Sequence, residues 1–176
     1  MKLINTDIKD VKLICPDIKT DHRGSFLESY QYEKYMPYIG DITFIQDNES
    51  ISKYGVLRGL HYQKDPHQQS KLIRVIKGKI QDIAVDIRPE SATYKKYVSI
   101  ELSNENKYEL FIPQGFAHGF LVLSSEAIVS YKVDSYYNVQ SDAGFKYNDP
   151  SFGIDWHLND DDIIISEKDK GLPYIK

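Results

Sequence analysis

The chain is written as short β-prone runs broken by glycine, proline and polar turns, with almost no apolar repeat at helical spacing. Residues 71–76, 79–87, 97–102, 108–112, 121–123 and 127–132 follow one another in this way. Side chains alternate faces along a strand, so such runs bury their apolar rows by pairing into sheets that face each other. The pattern predicts a closed antiparallel sandwich or barrel. Lys77-Gly78, between the first two runs, is a hairpin signal. In the second run Gln81, Ile83, Val85 and Ile87 share one face, and Ile80, Asp82, Ala84 and Asp86 the other. Asp82 and Asp86 therefore face either solvent or a barrel mouth.

At 176 residues the chain has the size of one domain and can bury roughly 70% of its unfolded surface. Its formal net charge of −4 excludes a whole-surface basic binder, so nucleic acid and anionic membrane are not expected partners, and any phosphate contact is a small local site. Cys15, the single cysteine, has no internal disulfide partner, and no long apolar span is present. The chain reads as soluble and cytoplasmic. Residues 1–20 alternate loosely up to Pro16, as a short edge strand or an arm does. The cluster Asp21-His22-Arg23-Gly24 marks a turn leading into Phe26-Leu27. Residues 31–39 suit one short helix ended at Met36-Pro37, because the residue before proline is biased away from helix. Residues 42–48 read as a strand whose apolar start gives way to amides, or as a strand that Asp47-Asn48 turns.

The stretch Gly55-Val56-Leu57-Arg58-Gly59-Leu60-His61-Tyr62-Gln63 places a guanidinium and an imidazole three positions apart on a strand-like run. Together they offer an anion-binding donor and a proton-transfer group. Arg58 also reads as a surface ion-pair residue and His61 as a hydrogen-bonded strand residue. On a regular strand the two point to opposite faces, unless Gly59 marks a bulge that realigns them. Arg23 and His22 equally suit a solvated loop tip, and Tyr131 and Tyr137 one core and one surface aromatic.

Pro113-x-Gly115-x-x-His118 resembles the second half of the cupin signature. Val56 to Gln63, Gln69 to Val75, Ile112 to Phe120 and Ile165 to Asp169 together resemble the dTDP-4-dehydrorhamnose 3,5-epimerase family. The resemblance covers nearly the whole chain. It implies an all-β, cupin-type jelly-roll barrel with a few short peripheral helices, spanning residues 1–176 as one domain, with residues 1–20 a dimer-exchanging arm or edge strand. Metal-binding cupins carry His-x-His where this chain has His61-Tyr62-Gln63, so the resemblance implies no metal and no cofactor. It implies proton abstraction beside the ketone of a nucleotide-linked 4-keto-6-deoxyhexose, with reprotonation from the opposite face. By resemblance His61 is the base, Asp169 holds and charges its imidazole, Tyr131 is the opposite-face acid, and Lys71 faces the enolate. Arg23, Phe26, Glu28, Gln46, Asn48, Arg58 and Tyr137 match nucleotide- and diphosphate-holding positions, the first three supplied across a homodimer interface. His118 assists or orders the site; His67 and His157 have no assigned role. Gln140-Ser141-Asp142 departs from the acidic and basic run frequent in the family, and this loop is a place where sugar choice is tuned. Epimerisation at C3 alone, or action on another 4-keto-6-deoxy sugar, is the alternative within the family. A metal-dependent cupin and a non-catalytic sugar-nucleotide binder are the rivals outside it.

Overall fold

The computed structural model describes residues 1–176. In chain order it forms β1 (Lys2–Ile4), β2 (Lys12–Cys15), β3 (Ile18–Asp21), β4 (Gly24–Leu27), α1 (Tyr32–Ile39), β5 (Gln46–Lys53), β6 (Leu57–Gln63) and β7 (Lys71–Lys77). There follow β8 (Lys79–Asp86), β9 (Tyr97–Ser103), β10 (Glu109–Ile112), β11 (Phe116–Val122), β12 (Glu126–Val133), β13 (Asp142–Gly144), a 3-10 turn at Asp160–Asp162 and α2 (Glu167–Lys170). One antiparallel sheet has the order β1-β2-β10-β7-β12-β5 and the other β13-β6-β11-β8-β9, while β3 and β4 form a separate ribbon. The two sheets face each other across Leu13, Ile73, Val75, Ile80, Leu102, Leu110, Phe120 and Val129, all buried. This is the two-sheet all-β architecture that the punctuation of the sequence predicts.

Three local expectations change. Residues 71–76 and 79–87 do not make a hairpin, because β7 pairs with β10 and β12 while β8 pairs with β11 and β9. Only Gly78 separates them, too short a link for a two-residue hairpin turn, so the chain crosses from one sheet to the other. Gly78 has φ +79°, and a Cβ there would stand 2.1 Å from the Glu126 carbonyl oxygen. The strand expected over 42–48 instead runs from Gln46 to Lys53, so Asp47 and Asn48 lie within it and turn nothing. Helix α1 continues through Pro37 to Ile39 and stops at Gly40, whose φ of +87° leaves the helical region. β2 is flanked by β1 and β10, which leaves β1 as the edge of the sheet.

β8 is buried on both faces, its polar Gln81, Asp82 and Asp86 included. Ile80 and Ala84 enter the core between the sheets; Ile83 and Val85 pack outward with Leu60, Ala117 and Phe152. Asp86, at its end, accepts from Arg88, Ser91 and Thr93, so it anchors a loop. Asp82 has a different fate, described below.

Helix α1 is tied to the first sheet through a buried acid. Tyr35 Oη lies 2.7 Å from Glu109 Oε2 and 3.1 Å from the Ser29 carbonyl oxygen. A phenol has one hydrogen, which Tyr35 donates to Glu109 Oε2, with the Ser29 carbonyl as a second, longer acceptor. Burial pushes the Glu109 carboxyl up to about 7, against the Tyr35 hydrogen bond and the charges of Arg74 and Lys132. The folded state therefore holds a proton that the unfolded state releases above about 4.5, and stability falls as pH rises from there through about 7. Glu109→Gln copies the neutral form. It is expected to flatten this dependence and to gain about 1–3 kcal/mol at pH 8, a few degrees in Tm, in a pH series of thermal melts.

Candidate active site

The interior of the barrel changes from apolar to polar along its strands. On β12 the inward row Ala127, Val129 ends in Tyr131, and on β7 the row Val75, Ile73 ends in Lys71. The edge strand β5 sets Gln46 and Asn48 beside them, with Asn48 opposite Tyr131 in the register. The second sheet answers with His61 on β6, His118 on β11 and Asp82 on β8. One end of the barrel is thus packed and the other carries the chemistry.

Arg58 and His61 share one face of the sheet because β6 holds one extra residue. His61 pairs with His118 and Arg58 with Phe120, so three steps on β6 match two on β11. This is a β-bulge, and it returns both side chains to one face. Gly59 sits at the break with φ +132°, and a Cβ there would stand 2.5 Å from the Gly119 Cα. No other residue type fits this approach.

His61 Nε2 lies 2.7 Å from Asp169 Oδ1. Asp169 comes from the far end of the chain, where Ile164 bonds in parallel beside Val56 and Ser166 caps α2 by accepting from the Asp169 amide. Burial pushes the Asp169 carboxyl up, but the His61 hydrogen bond and charge, the Gly59 amide and Ser166 outweigh it and hold it below the usual carboxylate range. An ionised Asp169 accepts from Nε2–H, which leaves Nδ1 of His61 as the basic nitrogen.

Across the cleft, burial pushes the Tyr131 phenol up, opposed by the Arg58 charge, so it stays protonated at neutral pH. Burial pushes the Lys71 ammonium down to about 8, with Asp82 and Asp142 opposing. His118 Nε2 lies 3.0 Å from Asp82 Oδ1, and both are buried. Burial lowers the His118 imidazole, with the Asp82 carboxylate opposing.

The cleft, about 210 Å³, is lined by Gln46, Asn48, His61, Lys71, Tyr131 and Tyr137, with Tyr62, Gln63, Gln69, Asp142 and Lys168. Arg58 does not line it; its Nε donates to Ser52 Oγ at 3.0 Å, and its charge acts on Tyr131. Arg23, Phe26 and Glu28 are not brought to it within one chain. They lie on or after the β3–β4 ribbon, with Phe26 65% exposed, Arg23 paired to Asp21 and Glu28 to Lys34. Sequence reasoning gave Lys168 no role, named Asp142 only within the 140–142 loop, and offered Asp82 only as a carboxylate facing solvent or a barrel mouth. Asp142 accepts from Tyr137 Oη at 3.2 Å and pairs with Lys168. Only the face shared by Asp82 and Ala84 signalled the third.

No three His, Cys, Asp or Glu side chains converge in a metal-ligand arrangement. Gln63 stands where metal-binding cupins place a second histidine, and its amide is spent on backbone groups of two loops. No helix is long and apolar enough to cross a membrane. Fold and comparisons together define the class, a jelly-roll isomerase. The family model described as dTDP-4-dehydrorhamnose 3,5-epimerase matches residues 5–176. A protein of that name from Methanothermobacter thermautotrophicus is 48% identical over 170 residues, 96% of this chain and 91% of that one. The crystal structure of the Elizabethkingia anophelis enzyme superposes with a TM-score of 0.94 at 46% identity, covering 99% of this chain and 96% of that one. That of the Legionella pneumophila enzyme, in complex with dTDP-4-keto-L-rhamnose, gives 0.95 at 45% identity, covering 98% and 92%. The chain belongs to the dTDP-4-dehydrorhamnose 3,5-epimerase family of dTDP-rhamnose biosynthesis and has its isomerase activity.

Proposed function

We propose that the protein converts dTDP-4-keto-6-deoxy-D-glucose to dTDP-4-keto-L-rhamnose through an enolate, using only its own side chains. The observation that carries this reading is His61 on one sheet, paired to Asp169 of α2, facing Tyr131 on the other sheet, with the Lys71 ammonium lining the same cleft. His61 Nδ1 takes the proton from the carbon next to the ketone, and the C–H electron pair moves into the enolate as the ketone oxygen gains negative charge. Lys71 stabilises that oxygen. Tyr131 Oη gives a proton to the opposite face of the same carbon, and solvent restores both groups. The second carbon follows in the same way. Such chemistry needs no redox group, because the ketone itself makes the neighbouring protons acidic.

The nucleotide and diphosphate are held by Gln46, Asn48, Arg58 and Tyr137, with Arg23, Phe26 and Glu28 from a second copy. A two-stranded ribbon standing apart from both sheets, with Phe26 exposed, is marginal by itself and gains by packing against another chain. The working unit on this reading is a homodimer, and its setting is the cytoplasm.

The deciding experiment is incubation with dTDP-4-keto-6-deoxyglucose in D₂O after chelator dialysis, followed by NMR. Deuterium at both C3 and C5 is expected at the rate of the undialysed protein. Label at C3 alone makes it a one-centre epimerase, and activity that returns only with a divalent ion overturns the metal-free mechanism. In Tyr131→Phe, exchange is expected to persist while inversion is lost by about 10²-fold or more.

A further inference from the structure

The loop that carries Tyr137 is held from outside itself. Residues 134–141 connect β12 to β13, and Tyr137 projects from them at the cleft mouth, 56% exposed. The base of the loop is fixed by Gln69 Nε2 donating to the Ser135 carbonyl at 2.7 Å and by the Ser70 amide donating to Asp134 Oδ1 at 2.7 Å. Its tip is fixed by Gln63. The Gln63 amide is 6% exposed, and its Nε2 donates to the carbonyls of His67 (2.6 Å) and Tyr136 (3.2 Å) while Oε1 accepts from the Asn138 amide (2.6 Å). One side chain therefore binds the backbone on both sides of Tyr137.

His67 adds a second tie. Asn138 Oδ1 accepts from the amides of Gln140 and Ser141, which turns its Nδ2 donor toward His67 Nε2 at 3.4 Å. His67 Nδ1–H then donates to Ser141 Oγ at 2.9 Å. A histidine with no place in the proton chemistry thus spans the two loops.

We propose that Gln63 and His67 are positioning residues that lock the 134–141 loop, and with it Tyr137, in the binding geometry of the cleft. Only an amide serves at position 63. Glutamate would set a carboxylate against two carbonyl oxygens, and methionine would leave the Asn138 amide and the Tyr136 and His67 carbonyls without their partner. The functional consequence rests on the reading of Tyr137 as a nucleotide-holding residue; the anchoring itself does not.

The test compares Gln63→Met, His67→Ala and His67→Asn with Tyr137→Ala, measuring kcat and KM separately and amide hydrogen exchange by residue. Gln63→Met is expected to speed exchange at residues 135–141, above all at the Asn138 amide, with β6 and β11 unchanged. KM should rise roughly tenfold or more while kcat stays within about threefold. His67→Ala should do the same more weakly. His67→Asn, which keeps a donor near Ser141, should recover part of it, a pattern that general destabilisation does not produce. Unchanged exchange in both Gln63→Met and His67→Ala overturns the anchoring. Faster exchange with unchanged KM overturns the positioning role when Tyr137→Ala raises KM, and overturns the underlying reading of Tyr137 when it does not. Should Gln63→Met fail to fold, the two His67 variants carry the same comparison.

Discussion

His61→Ala is expected to lose deuterium exchange at C3 and C5 of the substrate by about 10²–10⁴-fold, the usual worth of a positioned base. Asp169→Asn should lose nearly as much. The asparagine amide either donates to Nε2 and forces the proton onto Nδ1, or accepts from Nε2–H without the negative charge that stabilises the imidazolium formed as the proton is taken. Full exchange by His61→Ala would remove it as the base. The same variant tests the assembly. If Arg23 serves the partner's cleft, neither His61→Ala nor Arg23→Ala is active alone, yet mixed subunits regenerate one intact site per heterodimer, roughly a quarter of wild-type sites after equal exchange. No recovery in a mixture shown to exchange subunits would place Arg23 outside the neighbouring cleft.

Lys71→Met is expected to cost about 2.7–4 kcal/mol of transition-state stabilisation, roughly 10²–10³ in kcat, because the enolate oxygen loses its fixed cation. The pH profile offers an independent reading. Burial lowers the Lys71 ammonium to about 8, and the charged form is the useful one, so activity should fall as pH rises through that value. Roughly nine-tenths is protonated at pH 7 and roughly one-tenth at pH 9. Tyr131 is pushed the other way by its burial and so does not supply this limb. Lys71→Arg, charged throughout, should keep a reduced rate but move the falling limb to higher pH. A limb that stays near 8 in Lys71→Arg would assign it to another group.

The composition and punctuation of the chain determined the all-β class, and motif spacing determined the family. Interior rows such as Ala127-x-Val129-x-Tyr131 carried the direction of Tyr131, since strand alternation is a local rule. Gly59 between Arg58 and His61 was legible as a bulge for the same reason, because two side chains needed at one site were spaced for opposite faces.

What the tertiary structure alone decided is which strands are neighbours. Residues 71–87 look like a hairpin locally, yet the two halves join different sheets, because the choice depends on strands β10 to β12 that come later in the chain. The same long-range pairing brings Asp169 to His61 and leaves Asp82 inside the barrel rather than in water. The tie between Gln63 and the Tyr137 loop had no signal in either segment, since one is the polar end of a strand and the other an ordinary polar turn until the backbone groups of the turn meet the amide of the strand. Local chemistry fixes what a residue can do; the partners that set its charge and direction come from chain far away in sequence, and only packing brings them together.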